Sequence, residues 1–490
     1  MKITIPSTRK EIAMFKHKLT AAVIGTVICT SIFTYSVADV TTPTNTTVTG
    51  TFTSCDNSLT ADYNYNDNYF LISAQEQNES LRTMSLALAI SAYEKKPDSK
   101  GNNINDVLEK TGFDTSTVQS DEMDVTRTDS VGSVIASKFI KGKPLISVTV
   151  RGTDYKAEWA SNFNSGTQGD AKGFSESSQK LIERIKSYEQ RYSIKGAKLW
   201  ITGYSRGGGI SDLTGKYINE HLDEFGISPD DIYVYTFEAP RACTVQTNYK
   251  NIHNICCDMD VIPKLYPQSW GLYHAGTPEK LDFEPKQITL KELSISDGFG
   301  LKDTNEKMTL CEFEDKLINW LTDKISREKF DSDFKPITDI IVDIISSPAQ
   351  QQREKANYFR AVLNSVGDHF KNSKLALLRI AGILGSGSLK KSSIKYLSDT
   401  LISKMDDTDH SKAYSDEKYK QLKDSVPDVI ELAVDLLKSD MKDNDLKYIP
   451  TFASYASQIV QYHITSNIWQ AVIKTDSNYT ASAADLSEAA

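Results

Sequence analysis

The chain has 490 residues, a length that favours one enlarged domain or two domains. Hydrophobic residues make up 39% and charged residues 25%, an ordinary globular composition, so disorder is expected only at the ends. The formal net charge is -9 and no Lys/Arg block stands out beyond the N-terminus, so nucleic-acid binding is not expected.

Residues 1–38 are predicted to be a secretory signal peptide. A basic start is followed by an apolar stretch from Leu19 to about Tyr35, and a small-x-small cleavage site precedes Asp39. An uncleaved membrane anchor is the alternative, but the Thr and Ser residues within the apolar stretch favour cleavage. We therefore expect a secreted protein, or a membrane-associated one if the N-terminal segment is retained.

The first part of the predicted mature chain combines a linker, a helix and a hairpin. Residues 39–62 are rich in Thr, Asn and Ser and predict a linker. The later stretch LRTMSLALAISAYEKK has the apolar spacing of a helix. Residues 134–140 and 145–150, separated by a Gly-Lys-Pro turn, predict a hairpin whose second strand is buried.

Strands then alternate with helices. FSESSQKLIERIKSYEQRY predicts an amphipathic helix, AKLWITGYS a strand, GGGISDLTGKYINEHL a helix, and DIYVYTFEAP and NIHNICCDMDVIP two strands. Cys256 and Cys257, in the last of these, are expected to be small buried apolar residues. The alternation between about residues 130 and 275 is typical of βαβ units and predicts a mainly parallel sheet, and residues 63–284 are assigned to this α/β core.

The pattern changes after the α/β core. Residues 285–450 contain successive amphipathic segments with polar breaks, among them FEDKLINWLTDKI and VIELAVDLLKSD. No strand-like run of comparable strength occurs among them, so we predict a large helical insertion or cap subdomain. Residues 451–480 are assigned to a closing segment of the core, and residues 481–490 to a loose tail.

The stretch ITGYSRGGG places Ser205 between Gly203 and Gly207, after an apolar strand and before a helix. This is the nucleophile-elbow arrangement, in which a sharp turn lifts the serine Oγ clear of the sheet and glycines avoid Cβ collisions. The N-terminus of the following helix favours developing negative charge. A tight turn that carries an exposed serine is the alternative, and the stretch lacks the spacing of a phosphate loop.

Several segments, in a shared order, resemble the class 3 (fungal-type) lipase family in its secreted bacterial branch. LISVTVRGTD is similar to the family's strand and oxyanion loop, ITGYSRGGG to its elbow, VYTFEAPRA to its Thr-Phe-Gly-x-Pro-Arg strand end, and DMDVIPKLYP to its Asp-x-Val-Pro stretch. The resemblance spans residues 70–280 and implies an α/β-hydrolase without a metal or a cofactor. Tyr204 replaces a common His, Glu238 a usual Gly and Tyr266 a Pro of the family pattern.

A serine nucleophile needs a base and an orienting carboxylate, which follow it in the order acid, then histidine, in an α/β-hydrolase. The resemblance favours Asp260 as the acid, and Asp258 is its close rival as either the acid or a solvated or capping residue. His463, just before a predicted helix, is the preferred base. The remaining candidates for the base are His274, His369 and His410.

In this interpretation His463 deprotonates Ser205, which attacks an ester carbonyl, while Asp260 orients the imidazole. The resemblance implies that the oxyanion is held by the backbone N–H of Arg206 and by Thr153. The sequence thus predicts a secreted lipase or esterase acting on acylglycerol-like substrates, which could also contact lipid surfaces transiently. The alternatives are a phospholipase or thioesterase on the same fold, or a non-catalytic exported surface protein.

Overall fold

A computed structural model of the protein describes residues 40–41, 50–54, 59–93, 104–121, 127–154, 156–281, 286–293, 301–372, 388–440, 451, 455 and 463–479. The predicted signal peptide and the predicted tail lie outside these ranges. The described residues form two compact units, one from residues up to 281 together with 463–479, the other from residues between 286 and 455. Within these ranges, no helix has both the length and the apolar character that crossing a bilayer requires.

The first unit combines strands with helices. The strands of the described residues are β1 (Val40–Thr41), β2 (Gly50–Thr53), β3 (Leu59–Tyr63), β4 (Gln119–Asp121), β5 (Ser133–Ile140), β6 (Lys143–Val150), β7 (Lys198–Tyr204), β8 (Ile232–Phe237), β9 (Tyr249–Cys257), β10 (Gly276–Leu281), β11 (Gln287–Leu293) and β12 (Leu301–Thr309).

Helices flank these strands and dominate the second unit. The α-helices of the described residues are α1 (Glu79–Ser91), α2 (Ile104–Lys110), α3 (Lys156–Asn162), α4 (Lys172–Arg191), α5 (Arg206–Glu220), α6 (Leu222–Phe225), α7 (Leu310–Lys324), α8 (Arg327–Asp333), α9 (Lys335–Ile345), α10 (Ala349–Asn372), α11 (Ser388–Asp406), α12 (Asp416–Asp440) and α13 (Thr465–Lys474).

The main sheet of the first unit has seven strands in the order β10-β9-β8-β7-β6-β5-β4. Strands β6 to β10 are parallel to one another, and β5 is antiparallel to both β4 and β6. The mainly parallel sheet and the β5–β6 hairpin are therefore confirmed. Every residue of β8 is buried, which is typical of a parallel strand covered on both faces, and Cys256 and Cys257 are buried at the end of β9 as expected.

The core of the first unit joins distant parts of the chain. Phe52 in β2 packs edge-on against Trp469 in α13, with ring centroids 4.8 Å apart. The predicted linker over residues 39–62 is wrong for the described residues 50–53 and 59–62, because β2 and β3 pair with each other and Phe52 and Leu59 are fully buried. A Thr-rich composition suits a strand as well as a linker, and the packing partner of Phe52 lies at the opposite end of the chain.

The second unit has its own core, built by α9 to α12 around residues such as Tyr358, Val362 and Tyr414. The described residues from 310 to 372 and from 388 to 440 are mainly helical, as predicted. The helical prediction is wrong for the preceding residues, where β11 and β12 form an antiparallel pair. The burial of Ile288 and the alternate residue Leu290 gives β11 the period of a strand.

Candidate active site

Ser205 occupies the turn between β7 and α5 and is half-buried there. Its backbone has φ 55° and ψ -122°, a strained conformation for a residue with a side chain and the one that a nucleophile elbow requires. Its N–H donates to the carbonyl of Phe237 at 2.8 Å, which ties the elbow to the end of β8.

The two predicted elbow glycines leave no room for a side chain. A Cβ on Gly203 would lie 2.3 Å from the carbonyl oxygen of Gly207. A Cβ on Gly207 would lie 2.4 Å from the carbonyl oxygen of Val150, at the end of β6. Glycine at both positions thus allows α5 to begin directly against the sheet, with its N-terminus at the serine.

A continuous series of hydrogen bonds joins the three residues predicted as a catalytic triad. His463 Nε2 lies 2.9 Å from Ser205 Oγ, and His463 Nδ1 lies 2.6 Å from Asp260 Oδ2. Ser205 follows β7, Asp260 follows β9 and His463 precedes α13, so three separate elements converge. A base within reach of a serine, itself oriented by a carboxylate, is the arrangement that activates the hydroxyl for nucleophilic attack.

Asp260 and His463 each make further contacts besides the hydrogen bond between them. Asp260 is fully buried, and its Oδ1 accepts the N–H of Ile262 at 2.8 Å. The ring of Tyr204 stacks on the His463 imidazole with centroids 5.2 Å apart, and the Tyr204 hydroxyl donates to the backbone carbonyl of His463. These contacts restrict the rotamers of both groups before any substrate binds.

The rival acid and the nearer rival base have other partners. Asp258 forms an ion pair with Lys280 at 3.0 Å. His274 is buried, and that burial, followed by the charge of Arg241, lowers the pKa of its imidazole to about 3. Its backbone partner is the carbonyl of Pro263, so in the described structure His274 supports the local fold and not Ser205.

The other two candidate histidines belong to the second unit. His369 Nε2 lies 3.2 Å from the hydroxyl of Tyr396. His410 stacks on Tyr419 at 3.6 Å between ring centroids. Of the histidines considered from the sequence, His463 is the one that the described contacts bring to Ser205.

The two predicted oxyanion residues are linked by one side chain that sequence reasoning did not single out. The Asn162 amide donates from Nδ2 to Thr153 Oγ1 at 2.8 Å, and its Oδ1 accepts from Arg206 Nη1 at 3.0 Å. Because the Thr153 hydroxyl accepts from Asn162, its own hydrogen is left to donate elsewhere. Asn162 therefore orients Thr153, and the only sequence signal was its place in the stretch EWASNF after the Arg-Gly-Thr turn.

Buried charges fix the loop that carries Thr153. The fully buried Glu158 accepts from Arg151 Nη2 and from the N–H of Asp154, both at 2.9 Å. The buried guanidinium of Arg206 donates to Ser177 Oγ at 2.9 Å, and burial lowers its pKa to about 10, which leaves it charged at neutral pH. Loop and helix N-terminus are thus preorganised at the point where an oxyanion would develop.

The sequence profile of the lipase (class 3) family matches residues 147–270. This segment contains β7, the elbow and Asp260, so the resemblance seen in the sequence is confirmed over it. No curated protein matches the chain. The mainly parallel sheet and the elbow, together with the family match, identify an α/β-hydrolase fold. The family match also identifies a serine ester hydrolase, as the sequence predicted.

Several solved lipase structures are similar to part of the chain. One is a triacylglycerol lipase with a serine protease triad, 18% identical, covering 42% of this chain and 82% of that chain with a TM-score of 0.31. The Rhizomucor miehei lipase–propeptide complex is 15% identical over 52% of this chain and 83% of that chain, with a TM-score of 0.31. The lipase of Rhizopus microsporus var. chinensis is 16% identical over 51% of this chain and 86% of that chain, with a TM-score of 0.30.

Proposed function

We propose that this chain, which matches the class 3 lipase family over residues 147–270, is a secreted hydrolase of lipid-type carboxylic esters. The reaction uses Ser205 as nucleophile, His463 as base and Asp260 as the orienting acid. The observation that carries the proposal is the unbroken hydrogen-bond series from Ser205 Oγ through the His463 ring to Asp260. The layout of the N-terminus supports secretion.

In the acylation step, His463 Nε2 takes the proton of Ser205 as Oγ bonds to the ester carbonyl carbon. The buried Asp260 accepts the Nδ1 hydrogen of His463 and stabilises the imidazolium that forms. The imidazolium then protonates the alcohol as the ester bond breaks, which leaves an acyl-serine. Water attacks this acyl-enzyme with His463 again as base, and the carboxylic acid is released.

The negative oxygen of each tetrahedral intermediate is stabilised by the backbone N–H of Arg206 and the hydroxyl of Thr153. The support for this role is the position of Arg206 as the first residue of α5 and the orientation of Thr153 by Asn162. These donors are held by buried contacts, so they need little reorganisation when charge develops.

The decisive experiment combines a fluorophosphonate probe with a substrate series. We expect the wild-type protein to be labelled and the Ser205→Ala variant not, while Ser187→Ala, which removes an exposed hydroxyl on α4, is labelled like wild type. Labelling that persists in Ser205→Ala, or a wild-type protein that does not react, would contradict the proposal and favour a non-catalytic scaffold.

Substrates then separate the related activities. Hydrolysis of acylglycerols and of simple esters of graded chain length is expected to exceed hydrolysis of phosphatidylcholine and of acyl-CoA. A preference for phosphatidylcholine would indicate a phospholipase, and one for acyl-CoA a thioesterase. Secretion is tested by mass spectrometry of the protein from the culture medium, where a mature N-terminus at Asp39 is expected.

A further inference from the structure

A second carboxyl group lies beside the acid of the triad. Glu238 directly follows β8, Asp260 follows β9, and both side chains are fully buried. The peptide groups of Cys257 connect them. Its N–H donates to the two carboxyl oxygens of Glu238 at 3.1 and 3.2 Å, and its carbonyl accepts the N–H of Asp260 at 3.0 Å. The two carboxyl groups are also close enough to interact electrostatically.

Two adjacent buried carboxyl groups do not both ionise, because neither water nor a cation offsets the repulsion between them. The negative charge belongs on Asp260, which accepts from the Ile262 N–H at 2.8 Å and from His463 Nδ1 at 2.6 Å. Burial, and then the charge of Asp260, raises the pKa of Glu238 well above its ordinary value. Glu238 is therefore the member of the pair that holds the proton.

We propose that Glu238 is a positioning residue of the triad, which keeps its proton and donates a hydrogen bond to the carboxylate of Asp260. The series Ser205–His463–Asp260 thereby gains a fourth member. The inference rests on the proposed function, since it assigns Glu238 a role in the same reaction. The glycine that the family pattern usually has at this position would offer no side-chain donor.

The backbone of Glu238 supports this assignment. It has a φ of 48°, a left-handed conformation that costs free energy for a residue with a side chain. Its N–H donates to the carbonyl of Ile255 at 2.9 Å, which holds the residue against β9. A strained residue that replaces the glycine suited to that conformation indicates that its side chain supplies an interaction worth the strain.

A neutral donor has two effects on the triad. It fixes the rotamer of Asp260, so that Oδ2 stays directed at His463, and it disperses the carboxylate charge without introducing a cation. Loss of the donor concentrates that charge on Asp260, which strengthens the electrostatic stabilisation of the His463 imidazolium. The other titratable groups that act on Glu238 are the thiols of Cys257 and Cys256, and burial is the main cause that raises the pKa of both.

Infrared spectroscopy tests the protonation directly. The carbonyl band of a protonated carboxylic acid is expected in the Ser205→Ala protein at alkaline pH, above the pKa of about 7 of Glu189 and of about 6 of Asp212. Adding Glu238→Gln should remove that band. Absence of the band, or its persistence after the substitution, overturns the proposal. Because Ser205→Ala is inactive by design, this result does not depend on catalysis.

Kinetics test the positioning role. Glu238→Gln keeps a donor for Asp260 and an acceptor for the Cys257 N–H, whereas Glu238→Gly restores the family residue and removes both. We expect Glu238→Gly to lower kcat by roughly tenfold, the loss typical of one hydrogen bond to a charged group, with KM little changed. The acid limb of the kcat/KM profile of Glu238→Gly should move to higher pH. Glu238→Gln should keep most of the wild-type kcat and of the wild-type pH profile.

The two variants and the wild type separate the possible failures. Equal pH profiles and equal kcat in Glu238→Gly and Glu238→Gln would overturn the positioning role. If Glu238→Gly does not fold, as judged by its thermal unfolding, the infrared result and the pH profile of Glu238→Gln relative to wild type still decide. A wild type without esterase activity but with the acid band would refute the proposed function and leave the protonated pair established.

Discussion

Three residues that depart from the class 3 lipase pattern lie around the proposed triad. They contact its base, its acid and the residue that orients Thr153. Tyr204 stacks on His463, and the Glu238 carboxyl is joined to Asp260 through the peptide groups of Cys257. The Tyr266 hydroxyl donates to the backbone carbonyl of Asn162, the residue that orients Thr153. The departures thus form a set that holds the proposed base, the proposed acid and the proposed oxyanion side, which is more consistent with a maintained site than with a decayed one.

The Thr153 hydroxyl can be tested without changing the size of the side chain. Thr153→Val removes the oxyanion donor, so kcat is expected to fall on the order of 100- to 1000-fold while KM changes little. Thr153→Ser keeps the hydroxyl and serves as the matched control. Steady-state kinetics on a soluble ester measure both. Equal rates for the Val and Ser variants would show that Thr153 does not stabilise the oxyanion.

His274 predicts a pH dependence of stability. Its folded-state pKa of about 3 lies below the ordinary value of 6.5, so on acidification the unfolded chain takes up the proton first. The stability that neutral His274 contributes is fully present above the unfolded pKa. This contribution decreases by about 1.4 kcal/mol per pH unit as the pH falls from the pKa of His274 in the unfolded chain to its pKa in the folded protein.

Chemical denaturation across that pH window checks the linkage. The variant His274→Gln has no imidazole to protonate, so its free energy of unfolding should fall less steeply with acidification than that of the wild type. Identical slopes for His274→Gln and wild type would contradict the assignment.

At the scale of elements, the N-terminal strands belong to the hydrolase core. Phe52→Ala removes a fully buried ring that packs on Trp469, so the free energy of unfolding should decrease by about 3–5 kcal/mol. The matched control is Phe139→Ala on β5, whose residue is 72% exposed and whose truncation should change stability by less than about 0.5 kcal/mol. Denaturant unfolding compares the two, and equal effects would indicate that the segment behaves as a linker.

The elements that the sequence predicted are those with strong local patterns. Continuous apolar runs such as β7 and β8 and the amphipathic α4 carry their burial in the sequence itself. The strand β2 has a single large apolar residue, and its stability comes from pairing with β3 and packing on α13. No local pattern contains that information. By contrast, β11 does show a two-residue period, and the surrounding helical segments obscured it.

Each residue of the site could be predicted only as far as the sequence pattern around it was distinctive. The elbow and Asp260 lie within the matched segment 147–270 and follow buried strands, so motif and order identified them together. His463 lies 203 residues beyond Asp260, and His274 stood in the same chain order much closer to it. Only the packing of α13 into the core of the first unit brings His463 to the serine, and no sequence spacing encodes that.

On the scale of the whole molecule, the hydrolase unit is built from two separated parts of the chain. Ser205 and Asp260 precede the second unit, and His463 follows it, so the triad is complete only when both parts fold together. Each unit nevertheless contains a hydrophobic cluster of its own. One joins Phe52, Trp200 and Trp469 within the first unit, and the other lies wholly within α9 to α12 and their connections.

Because the first unit has a hydrophobic cluster of its own, we predict that it folds without the second unit. A domain that has its own core can in principle fold alone, so we expect replacement of residues 286–459 by a flexible Gly/Ser linker to leave Ser205 reactive toward the fluorophosphonate probe. Several linker lengths should be compared, with His463→Ala in the same background as the control that loses labelling. A chain that ends before residue 460 lacks both the base and the buried α13, and should be neither labelled nor stably folded. The opposite outcome is that every linker variant aggregates or fails to react while the full chain is labelled. The first unit would then need the second for its folding or its reactivity, and the prediction would be refuted.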